Sequence, residues 1–172
     1  MDEATIRLAL RVTARTTFFF FVAAFAGNAL RDLFPGRLSI WLAAKRDSFL
    51  LAMAASHTVH LAAIIALFQL LGSSRLKLTT VLGGGLVYLL IYALAIGALM
   101  RLRGRQPRSL LGLPRFEAVA LYLIWLIFAV AFVPRAISGW PVYSLLSVVA
   151  LAALFIRLAC LVRHRRARAA AA

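Results

Sequence analysis

Long apolar runs alternate with short basic stretches along this chain, and the runs set its architecture. A run of about 18 to 25 apolar residues is long enough to cross a hydrocarbon layer as a helix. Five such runs occur: 13–30 (TARTTFFFFVAAFAGNAL), 49–71 (FLLAMAASHTVHLAAIIALFQLL), 78–100 (LTTVLGGGLVYLLIYALAIGALM), 115–133 (RFEAVALYLIWLIFAVAFV) and 141–162 (PVYSLLSVVALAALFIRLACLV). Pro114 stands where the first residue of a helix tolerates proline, and Trp140-Pro141 leads into the fifth run. None of the runs alternates with period two, which excludes a β-barrel. The pattern predicts an all-α, polytopic membrane bundle of five transmembrane helices in one integral-membrane domain, residues 1–172.

Composition sharpens this. Of 172 residues 64% are hydrophobic, more than a soluble core of this size can hide, so the excess must face lipid. Twenty Lys and Arg stand against five acidic residues, yet they cluster between the apolar runs as in membrane loops, so the charge points to a bilayer and not to nucleic acid. The single cysteine, Cys160, excludes an intrachain disulfide and a Cys-based metal cage.

Five spans put the chain ends on opposite sides. The side of the C-terminal tail carries 14 basic residues, among them Arg31, Arg37, Lys45, Arg46 and Arg101; the other carries Arg7, Arg11, Arg15, Arg75, Lys77 and Arg135. The positive-inside rule predicts an outside N-terminus and a cytoplasmic C-terminus in a multi-pass membrane protein. A competing reading takes AFA before Gly27 as a signal-peptide cleavage site, but four remaining spans would invert the charge bias. Residues 1–12, with Arg7, Arg11 and Arg15 every four residues, suit an interfacial segment. Residues 163–172 read as a basic cytoplasmic tail, with His164 an ordinary surface histidine.

His57 and His60 are the polar residues that stand out within a span. At 1.5 Å per residue from Phe49 they lie roughly 12 and 17 Å deep, about 60° apart on one side of the helix. An ionisable residue at that depth faces the bundle interior and marks a functional site. The options are an axial haem ligand, a metal ligand, a proton relay or a hydrogen-bonded core histidine. The spans offer no Asp and no second histidine-bearing helix, and Glu117 lies roughly 10 Å shallower than His57, which argues against a closed metal site. A relay lacks neighbours at mid-depth. Haem needs axial ligands on opposite faces of the porphyrin, which two histidines on one helix face cannot supply. At matching depth the other spans offer only Tyr88 and Tyr92, and tyrosine does ligate haem iron. A Tyr–His hydrogen bond is the cheaper role for either. No triad, P-loop or dinucleotide fingerprint is present.

Residues 13–65 resemble the ferric reductase-like transmembrane family, in particular its haem-binding membrane subunits of the bacterial methionine sulfoxide reductase system. That family opens a span with Thr-Gly, places an Arg 18 residues later, opens the next span with Arg-Arg, and puts a haem-ligating histidine 14 residues after the first Arg of the pair. Here Thr13-Ala14, Arg31, Arg46-Asp47 and His60 fall at those spacings. A weaker echo covers LLGLPRFEAVALYLIW, 110–125, where the family histidine would fall within Glu-Ala-Val-Ala, 117–120. The resemblance implies one haem b with His60 as axial ligand to the iron, His57 as its hydrogen-bonded companion, Tyr88 or Tyr92 near the second face, and Arg31 and Arg46 at the propionates. It implies a b-type cytochrome-like subunit passing electrons across the bilayer, at most the membrane electron-transfer part of an oxidoreductase. Nothing in the chain binds NADPH or flavin, so the partner would be a separate redox protein or a quinone, with a homo-oligomer as a further source of ligands. The alternative is a haem-free scaffold or partner subunit on the same fold, with His57 and His60 as hydrogen-bonded core residues. Gly83-Gly84-Gly85 and Gly97 would then let helices approach closely.

Overall fold

The computed structural model describes residues 2–71, 78–105 and 113–171, with the side chains of 78–83 left aside. Among the described residues six α-helices follow one another: α1 Glu3–Leu33, α2 Arg37–Ala44, α3 Arg46–Leu71, α4 Leu78–Leu102, α5 Pro114–Phe132 and α6 Val142–Ala170; a short 3-10 turn, Val133–Arg135, follows α5. Among the described residues there is no strand. Five helices are long and apolar enough to cross a membrane, all but α2. This is the all-α bundle that the apolar runs predict.

The physical reason is that hydrocarbon offers backbone amides no partner. A spanning segment must therefore satisfy its N–H and C=O groups internally, as a helix does. Only 22 to 33% of each spanning window is buried within the protein. The outward faces carry large apolar side chains such as Leu89 (71% exposed), Phe155 (73%) and Val130 (65%). In water such a surface would drive aggregation; in a bilayer it is the lipid-facing side. The protein is a multi-pass membrane protein.

Boundaries differ from the sequence reading in two places. α1 begins at Glu3, so Arg7, Arg11 and Arg15 ride on the same helix as the first span. Its first turn is fastened by an Arg7–Glu3 ion pair of 2.6 Å, spaced i, i+4. The helix runs unbroken through Ala26 and Gly27, both buried. At the other end α6 continues through His164 and the basic tail to Ala170, with residues 161–171 exposed.

α2 is the addition that the apolar runs did not predict. Gly36 precedes its first residue and donates its N–H to Ser39 Oγ at 3.0 Å, while the Ser39 hydroxyl reaches the Phe34 and Gly36 carbonyls. This satisfies groups that a helix start otherwise leaves orphaned. Leu38, Ile40 and Trp41 project outward, at least half exposed, and Trp is a residue that favours the membrane–water boundary. Gly27 lets α1 come close to α2: a Cβ there would stand 3.2 Å from the Leu42 carbonyl carbon.

The chain divides into two compact units. The first holds Met1–Phe21 and Asp47–Ala120; the second holds Val22–Arg46 and Leu121–Ala172. In the first, Phe18, Phe21, Leu50, Met53 and Ile91 are fully buried. In the second, Phe25, Leu121, Ile124 and Ala150 form the centre. There Trp125 donates its indole N–H to the Ala150 carbonyl at 2.9 Å, and Arg157 lies over the Phe25 and Tyr122 rings at 4.5 and 5.0 Å.

Candidate histidine–tyrosine site

Within the first unit α1 and α3 run antiparallel, joined by a polar ladder. Thr13 meets His60 and Thr17 meets Ser56, with Oγ1···Nδ1 of 2.8 Å and Oγ1···Oγ of 2.9 Å. The two threonines are four apart on α1 and their partners four apart on α3, so each pair lies on one helix face. Threonine suits this place because its hydroxyl also bonds back into its own helix. Thr13 does so to the Ala9 carbonyl at 2.7 Å and Thr17 to the Thr13 carbonyl at 2.8 Å.

The Thr13 contact bears on the His60 tautomer. A hydroxyl has one proton; with that of Thr13 on the Ala9 carbonyl, 2.7 Å away, its oxygen accepts from His60 Nδ1–H, and Nε2 is the ring nitrogen that Thr13 does not engage. Metal-ligating histidines are held this way, one ring nitrogen donating to an oxygen and the other left for the metal.

α3 meets α4 on its other side. The Tyr88 ring packs against His57 with centroids 4.3 Å apart, and its hydroxyl donates to the His57 backbone carbonyl at 3.4 Å. Tyr92 and Thr58 share a hydroxyl hydrogen bond of 2.9 Å. His57 and His60 stack with centroids 5.3 Å apart and planes within 14°. One turn of α3 thus carries two rings, one answering α1 and the other α4.

The division of roles differs from the sequence reading. His60, and not His57, shares a hydrogen bond with a residue on α1. His57 is buried, and its Nδ1 has no hydrogen-bond partner among the described residues. Tyr88 bonds the His57 backbone and not its ring. A buried polar atom without a partner costs roughly 1–3 kcal/mol. The ring packs beside that of Tyr88, tilted by 33°, a contact that supplies no hydrogen bond to Nδ1.

The remaining predicted residues lie elsewhere in the chain. Arg31 belongs to the second unit and grips its neighbour Asp32 through Nε and Nη2, at 3.0 and 2.9 Å. Arg46 opens α3 and is half-buried. Gly83 falls outside the described side chains, while Gly84 and Gly85 have open space beside them, so close helix approach does not explain those two.

Two groupings escaped the sequence reading. Arg101, at the end of α4, bonds both carboxylate oxygens of Asp47 on α3 (2.6 to 3.1 Å) and Glu117 on α5 (3.3 Å). In the second unit Asp32, Cys160 and His164 converge. No family model, curated protein or solved structure matches the chain.

Proposed function

We propose that this chain is a b-type cytochrome-like subunit of a bacterial inner membrane, holding one haem through His60 and passing electrons across the bilayer. The observation that carries the reading is the 2.8 Å contact of Thr13 Oγ1 with His60 Nδ1, which engages one ring nitrogen and makes Nε2 the one that would hold the iron. That bond joins two of the residues that carry the likeness to ferric reductase-like domains. The donor set fits a haem with one imidazole ligand from this chain. The Tyr92 hydroxyl is engaged with Thr58 and that of Tyr88 with a carbonyl, so any further protein ligand would come from a second copy. Bound at His60, haem would supply a one-electron carrier. The chain's own part is to fix the His60 ring: Thr13 holds Nδ1, and the His57 ring stacked on it restricts rotation. In this reading the basic tail is cytoplasmic, and the electron partner is a separate redox protein or a quinone.

A second reading, a haem-free scaffold or partner subunit, has its own support: the Tyr88 ring already packs on His57 at 4.3 Å, and Phe18 and Phe21 are fully buried in the same unit. A reduced-minus-oxidised visible spectrum of the purified protein separates the two, since only the first gives a b-type band that depends on His60.

A further inference from the structure

The far ends of α1 and α6 bring together three side chains of three chemistries. Asp32 ends α1, and Cys160 and His164 lie one turn apart on α6, spaced i, i+4 and so on one face. Cys160 Sγ stands 3.7 Å from His164 Nδ1 and 3.9 Å from Asp32 Oδ2, and His164 Nε2 stands 3.9 Å from the same Oδ2. One donor atom from each lies within 4.8 Å of the other two.

The His164–Asp32 separation is long for a direct bond, and the two contacts of the thiol are weak, long S–H bonds. A charged N–H···O pair closes to about 2.8 Å, and 3.9 Å between His164 and Asp32 leaves that bond unmade. The three separations approach what a shared ion imposes. Around tetrahedral zinc, with Zn–S of about 2.3 Å and Zn–N or Zn–O of about 2.0 Å, neighbouring donors stand roughly 3.3–3.5 Å apart. Cys160 and Asp32 face different nitrogens of the His164 ring, and with one donor atom per residue the three lie within 4.8 Å, so turning the exposed His164 side chain has to close up to about 1.3 Å.

The surroundings leave these donors available. Arg31 holds Asp32 by Oδ1 alone, so Oδ2 is the oxygen turned to the cluster. Arg157 spends a donor on the Phe25 carbonyl, and Arg163 bonds the Asp32 backbone carbonyl and not its carboxylate. Cys160 is buried while His164 is 56% exposed, which gives an ion a way in.

We propose that Asp32, Cys160 and His164 form a three-donor site for a borderline-soft divalent cation of the zinc class, tying the end of α1 to α6. Thiolate, imidazole and carboxylate together select such an ion over magnesium or calcium. Binding expels the thiol proton to solvent, and thiolate plus carboxylate balance the two charges of the ion. Three protein ligands leave a fourth position for water. The site is separate from the histidine–tyrosine cluster, and neither proposal depends on the other.

The test is cobalt(II) titration of the full chain in detergent, prepared without added haem. With one cysteine in the chain, any thiolate-to-cobalt charge-transfer band belongs to Cys160. The expected result is such a band with tetrahedral visible bands at one cobalt per chain, abolished by equimolar zinc. Asp32→Asn and His164→Gln should each weaken binding by about tenfold or more, and Cys160→Ser should remove the band. His164 is exposed, so His164→Gln stays folded even where Asp32→Asn does not. Absence of a band at excess cobalt overturns the proposal. So does a band that His164→Gln leaves unchanged, because a bare thiol would then be taking up the metal.

Discussion

Thr13 Oγ1 lies 2.8 Å from His60 Nδ1 and 2.7 Å from the Ala9 carbonyl, so a residue of α1 holds one ring nitrogen of a histidine on α3. Thr13→Val keeps the shape and removes the acceptor. The expected cost is roughly 0.5–1.5 kcal/mol, read by thermal unfolding in detergent. The same variant should lose a large share of its haem when prepared with haem in excess. Thr13→Ser should restore both.

His57 makes the opposite prediction. Its Nδ1 is buried without a partner among the described residues, so His57→Phe removes an unsatisfied atom and keeps a ring against Tyr88. Stability should stay level or rise by up to about 2 kcal/mol. A b-type spectrum, where present, should survive this change and disappear in His60→Ala. A loss of several kcal/mol on His57→Phe would mean that the ring nitrogen is satisfied after all.

Arg101 holds Asp47 and Glu117 together, each of the three side chains at most 25% exposed. Arg101→Gln removes the cation that both part-buried carboxylates bond, which should cost roughly 1–3 kcal/mol in thermal unfolding. Neutralising all three, with Asp47→Asn and Glu117→Gln added, should cost less than Arg101→Gln alone. The penalty lies in stranded charge and not in the lost attraction.

Gly27 faces the backbone of α2, and backbone cannot move aside as a side-chain tip can. Gly27→Ala should destabilise by roughly 1–3 kcal/mol through overpacking, despite the better helix propensity of alanine. Limited proteolysis should then cut more readily around residues 34–45.

What the sequence revealed follows from the length of each signal. Five runs of about twenty apolar residues cannot be mistaken, and Pro114 does open α5. α2 has eight residues and no long run, so only the Gly36–Ser39 cap could have announced it. His57 and His60 stand out because imidazole is costly in lipid, yet their partners were harder to read. Thr13 is 47 residues from His60, and a threonine in a span looks like any small helix residue. Asp32 and Cys160 are 128 residues apart. Nothing local marks them as neighbours until α1 and α6 are packed.

The measurement that bears most directly on the central claim is the reduced-minus-oxidised visible spectrum of the detergent-purified chain, made with haem in excess, beside His60→Ala and His57→Phe. The account predicts a b-type spectrum that His57→Phe retains and His60→Ala abolishes. A well-folded protein without bound haem, or a spectrum indifferent to His60, would contradict it and leave the haem-free scaffold as the reading to pursue.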